Sequence, residues 1–145
     1  MTDSFPTRGQ LERTLSQRIQ ALYRKQLGHR VGQVDCQIID QKIVIVLENA
    51  VTQPEQLLAN EGKAELLEEV HANLKEAIQP QLKELIEAVL GVPVVDLLSD
   101  TTLETERTGM IAVLAEHPRI RDANGSASRN PPSPNKPPSD SRAAS

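Results

Sequence analysis

The segment KIVIVLE, residues 42–48, carries apolar side chains on both faces of the strand that its Ile and Val content predicts. Successive strand side chains point to opposite sides, so Ile43, Ile45 and Leu47 share one face while Val44 and Val46 share the other. Strands of this kind are covered on both sides, and the rest of the chain must supply that cover. The preceding VDCQIID, residues 34–40, alternates instead, with Val34, Cys36 and Ile38 on one face. Together the two read as an antiparallel hairpin turning near Asp40 and Gln41.

Helices flank this hairpin. Leu11, Leu15, Ile19, Leu22 and Leu27 draw one apolar stripe over residues 7–27, opened by the capping box Thr7-x-x-Gln10 and closed by Gly28. From Pro54 to Leu90 the pattern is helical again. A short piece runs to about Asn60, Gly62 interrupts it, and a long amphipathic run follows with Leu66, Val70, Leu74, Ile78, Leu82, Leu85, Ile86 and Val89 in its stripe and Leu67, Ala77 and Leu90 widening it. Pro80 cannot donate to the carbonyl four residues back, so a kink is expected there. Gly91 and Pro93 end the helix, and VPVVDLLSD (92–100) and GMIAVLAE (109–116) predict two further strands. The order helix, strand, strand, helix, strand, strand implies an α+β two-layer sandwich with an antiparallel four-stranded sheet and a long kinked second helix. One helical layer covers one face of such a sheet. Val44, Val46, Ile111 and Val113 are left facing water, which predicts a homodimer.

Composition sets the limits. The chain has 145 residues, no Trp, one Tyr and one Phe, so Leu, Ile and Val must make the core and aromatic stacking on bases is nearly excluded as a mechanism. We divide it into an α+β domain over residues 5–118 and a Pro- and Ser-rich tail over 119–145, which cannot bury enough surface to offset its ordering entropy and is expected to be disordered. Cys36 is the only cysteine, so no internal disulfide exists, and its place on an apolar strand face predicts a buried, inert thiol. MTDSFPTRGQ lacks the basic start and apolar run of a signal peptide, and no segment has the length of a membrane span. A cytoplasmic location without membrane insertion is expected.

At the end of the apolar strand stand Glu48, Asn49, Thr52 and Glu55. Thr52-x-x-Glu55 is a second capping box, with Pro54 in the first turn where a missing N–H costs nothing. That leaves Glu48 and Asn49. Catalysis by Glu48 needs a positioned partner, and the sequence shows none beside it, so no catalytic residue is assigned and the protein is expected not to be an enzyme. His29, His71 and His117 lie far apart with no His, Cys or Asp at ligand spacing, so neither metal nor cofactor is assigned.

Charge is unevenly placed. Residues 7–30 carry six Arg or Lys against one Glu, and residues 55–90 carry eight Glu against three Lys. Pairing between the two helices is the simple reading. The alternative is that Arg24, Lys25 and Arg30, clustered where positive charge complements the helix dipole, hold an anion, a lipid headgroup or an acidic partner. Arg24 or Arg30 reaching Glu48 and Asn49 would make a small-ligand or enzymatic pocket at the strand 2 to helix 2 corner. Nucleic-acid binding by the first helix is a third reading. It is disfavoured because residues 1–118 carry 11 basic against 18 acidic side chains.

RIQALYRKQLG, IVIVLENAVTQPEQLL with the Gly62 region after it, and GVPVVDLLSD resemble the small bacterial MpsC-like domain over residues 10–116. The family commonly has Gly-Pro near the end of its first helix, where this chain has Arg30, Val31 and Gly32, and Pro80 is atypical. Both departures lie at bends. The resemblance implies a cytoplasmic accessory or regulatory protein of a membrane transport complex, associated by name with sodium-coupled bicarbonate uptake and membrane potential, and it brings no catalytic residues with it. The expected function is therefore non-enzymatic binding of a protein partner or a small anion.

Overall fold

A computed structural model describes residues 5–121. Seven elements follow in the order α1 (Arg8–Leu27), β1 (Val34–Ile39), β2 (Lys42–Leu47), α2 (Gln53–Asn60), α3 (Ala64–Leu90), β3 (Val94–Thr102) and β4 (Arg107–Leu114). The expected α+β architecture is present, with α1 and α3 packed on one face of the sheet. Both capping boxes form, at Thr7 with Gln10 and at Thr52 with Glu55. Gly28 and Gly91 close α1 and α3 in left-handed backbone, at φ 61° and 74°, where a side chain is disfavoured. Helix α3 runs on through Pro80 as one element, so the ring removes one intrahelical bond without ending it.

The four strands are all antiparallel in the order β1-β2-β4-β3, so two helix-plus-hairpin units, α1-β1-β2 and α3-β3-β4, meet along the β2–β4 seam. Ile43, Ile45 and Leu47 of β2 and Met110, Ala112 and Leu114 of β4 face inward and meet Leu15, Ile19, Leu82 and Ile86 from the helices. Each side chain buried in this way contributes about 1.5–3 kcal/mol of transfer free energy. Helix α1 also buries Tyr23, which continues the four-residue series Leu11, Leu15, Ile19. Cys36 is buried, and burial pushes its thiol pKa up to about 11, the Ser16 hydrogen bond offsetting only part of the shift. Packing continues past residue 118: Ile120 is buried, and the Arg121 N–H donates to the Pro6 carbonyl at 2.8 Å. From residue 122 the tail lies outside the described residues.

Helical side chains reach both edges of the sheet. On β1, Glu12 accepts from the Ile38 N–H at 2.9 Å, and the Ser16 hydroxyl donates to the Val34 carbonyl. On β3, Lys75 and Gln79 donate to the carbonyls of Ser99 and Leu97, and Glu87 accepts from the Val94 N–H. Edge groups satisfied from within the chain are withdrawn as templates for strand addition. The outer face differs. Val44, Ile111 and Leu98 form a row across β2, β4 and β3 and are 36%, 41% and 57% exposed, with Val46 and Val113 half-buried beside them. Among the described residues, the excess expected from the sequence is therefore left uncovered.

Candidate functional site

The corner after β2 places the two residues left open by the sequence. Asn49 adopts left-handed backbone at φ 55°, a conformation that Asn tolerates, and its amide donates to the Arg30 carbonyl. Its own carbonyl accepts from His29 Nε2 at 2.7 Å, while the Gly32 N–H donates to the Glu48 carbonyl. The Glu48 carboxylate takes two bonds from Arg107 Nε, at 2.9 and 3.0 Å. A Cβ at Gly32 would lie 3.3 Å from the Asn49 Cβ, so the loop after α1 and the strand exit are in close approach. The fold thus brings Arg30 to Asn49 through backbone groups and gives Glu48 a different arginine. Arg24 and Lys25 are exposed on the last turn of α1. Among the described residues, no ion pair links the bases of α1 to the acids of α3.

On the inner side of the same corner lies a cavity of about 40 Å³. The end of α1, the start of α2, the middle of α3 and the strands β3 and β4 enclose it, and Leu74, Ile78, Leu82 and Met110 form its apolar wall. None of Arg24, Lys25, Arg30, Glu48 and Asn49 lines it. Its polar centre is Glu55, only 2% exposed. One carboxylate oxygen accepts from the Thr52 N–H at 3.0 Å and from the Thr52 hydroxyl at 2.9 Å, and the other meets His71 Nδ1 at 2.5 Å. A capping box needs one of those oxygens, so the second is free to orient an imidazole.

Further polar groups surround it. His71 Nδ1 is engaged by Glu55, which leaves Nε2 without a partner among the described residues. Lys75, one turn further along α3, bonds the Ser99 carbonyl and faces no carboxylate within ion-pair distance among the described residues. From α1 comes Tyr23, 6% exposed, whose hydroxyl likewise has no partner among the described residues. Burial, and secondarily the Glu55 charge, push the Tyr23 pKa up to about 12, so the phenol keeps its proton. Thr101 and Thr108 share a hydrogen bond at 2.7 Å nearby. No group of three or more His, Cys, Asp or Glu suited to a metal ion occurs among the described residues.

Sequence reasoning set Glu55 aside as a helix cap and His71 as an isolated histidine. The two are 16 positions apart on different helices, so no local spacing joins them. Tyr23 had a usable signal in the four-residue series of α1.

These features define a small α+β domain with helices on one sheet face, the other face uncovered among the described residues, and a polar-lined cavity at the strand-to-helix corner. The chain belongs to the MpsC family, described as a Na+-translocating membrane potential-generating system, whose pattern it matches over residues 7–116. No curated protein and no solved structure matches it. No helix among the described residues is long and apolar enough to cross a membrane.

Proposed function

We propose that this is a non-enzymatic accessory domain that acts by binding another protein through the bare face of its sheet, and that a second copy of the chain is the first such partner. The observation that supports the reading is the exposed Val44–Ile111–Leu98 row, set in a sheet whose two edges are engaged by helical side chains. Strand addition is thereby disfavoured, and stacking of faces is the association that buries apolar surface. The family's description suggests the setting. The homodimer regulates or completes a cytoplasmic part of a sodium-coupled membrane transport complex, with inorganic carbon as the associated solute.

Light scattering at micromolar concentration tests the first step. The native chain is expected at twice its 15.9 kDa mass, and a Val44→Asp, Ile111→Asp double variant at the monomer mass. A native chain that stays strictly monomeric would remove the dimer. For the second step, native membranes with crosslinking should yield a transport protein with the native chain and not with the double variant. Recovery of none would count against the transport setting.

A second reading, small-ligand binding at the strand 2 to helix 2 corner, is favoured by the cavity beside Glu55 and His71.

A further inference from the structure

We propose that the cavity between Tyr23, His71 and Lys75 is a binding site for a small planar oxyanion of about four heavy atoms, of the carboxylate, nitrate or bicarbonate kind. This names the ligand class for the pocket reading above and rests on it, while remaining independent of what covers the sheet.

Three observations carry the inference. The first is the balance of unused hydrogen-bonding capacity. Glu55 is the carboxylate that lines the cavity, and both of its oxygens are already engaged, by Thr52 and by His71. The donors left without partners are the Tyr23 hydroxyl and the remaining N–H bonds of Lys75, while His71 Nε2, on a neutral ring that gives Nδ1–H to Glu55, and Gln79 Oε1 are acceptors. An oxyanion would find the Lys75 ammonium and the Tyr23 phenol as donors, beside a carboxylate whose two oxygens are already engaged. The second observation is charge. The Lys75 ammonium is half-buried and forms no ion pair among the described residues, so its charge is compensated only by the carbonyl dipole of Ser99. Leaving a partly buried charge or a buried hydroxyl unpaired is costly, and Tyr23 is buried deeply enough for the argument to apply to it in full. An oxyanion seated between these groups relieves both.

The third observation is size. One water-sized position needs about 10–15 Å³, so a cavity of about 40 Å³ takes three or four such positions. That fits a planar anion and leaves too little room for a nucleotide or a lipid headgroup. The wall of the cavity is also held from behind. Glu55 holds the His71 ring through Nδ1, so Nε2 keeps a fixed direction, as in sites where a carboxylate orients a histidine. Arg24, Lys25 and Arg30, the basic cluster that the sequence singles out, are not part of this wall. The anion-binding arrangement is assembled by α3 and α1 together.

The test is an NMR titration of the full-length chain, reading the His71 side-chain nitrogens and the backbone amides of Tyr23, Lys75 and Thr108. The probes are sodium nitrate, bicarbonate, acetate and sulfate at matched ionic strength, with sodium chloride and neutral acetamide as references. Saturable shifts are expected for the planar anions and weaker ones for bulkier sulfate. Tyr23→Phe and Lys75→Met should each weaken binding about tenfold or more, because a hydrogen bond to a charged group is involved. Tyr23→Phe keeps the ring and its packing, so it separates the donor from the fold. If acetamide or sodium ion moves these resonances and no anion does, the oxyanion assignment is overturned and the pocket reading stands. If nothing moves them, both fall. Shifts that are insensitive to Tyr23→Phe and Lys75→Met would mark weak surface association and overturn the site.

Discussion

Replacing Glu55 by Gln isolates an interaction that joins α2 to α3 through a buried carboxylate. The native carboxylate receives two bonds from Thr52 and one from His71. A glutamine keeps an oxygen for Thr52 but presents an NH2 to His71 Nδ1, so the pairing is lost unless the ring changes tautomer. A hydrogen bond to a charged group contributes about 1.5–3 kcal/mol. His71 is 31% exposed, so solvent screening lowers the expected loss to about 1–2 kcal/mol. Glu55→Ala should cost more, about 3 kcal/mol in all, because it also removes the cap and leaves the buried Thr52 N–H unpaired. Urea unfolding followed by circular dichroism, with equal slopes for all variants, measures these losses. The cycle Glu55→Gln, His71→Ala and the double variant should give a coupling of about 1 kcal/mol or more. A coupling within about 0.3 kcal/mol of zero, the usual limit of additivity for independent sites, would refute the claim that Glu55 orients His71.

Two further outcomes follow from burial and backbone geometry. The Tyr23 pKa is raised from 10.0 to about 12, so the folded state holds the phenolic proton more tightly; the resulting stability is complete below pH 10 and is lost as pH rises through 12. Tyr23→Phe should flatten the fall in melting temperature across that window and raise the value at neutral pH, because it removes a buried hydroxyl that has no partner among the described residues. Pro80 is exposed within α3 and removes a bond to the Glu76 carbonyl, so Pro80→Ala should stabilise the domain by about 1–3 kcal/mol, partly offset by greater freedom of the unfolded chain. Calorimetry of the two chains checks this, and a loss of stability would show that the proline is needed for packing on the sheet.

Features written within a few residues of one another were legible in the sequence. The pairs Thr7 with Gln10 and Thr52 with Glu55 are three apart, and both boxes form as expected. The alternation in β1 and the two-faced strand β2 set the hairpin register and the bare outer face. The cavity was not legible because its parts meet only by tertiary packing. Tyr23 comes from α1, Glu55 from α2, His71 and Lys75 from α3, and Thr108 from β4. Capping accounted for Glu55 so completely by local rules that its second oxygen attracted no notice. One member of the long stripe on α3 lies off the core: Leu66 is exposed while its neighbour Leu67 is buried, because the first turns of the helix pack beside α2.

The seam between β2 and β4 has a kinetic consequence. Each helix-plus-hairpin unit is made of near neighbours in the chain, and hairpins of this kind close in microseconds. The seam pairs Lys42 with Val113 and Leu47 with Thr108, residues from opposite halves of the domain, and it can zip only after the intervening loop has paid its closure entropy. Before that event each unit has an open strand edge and only part of a core. The folding barrier is therefore expected at the meeting of two preformed pieces, so changes along β2 and β4 should slow folding while changes at the outer hairpin turns mainly speed unfolding.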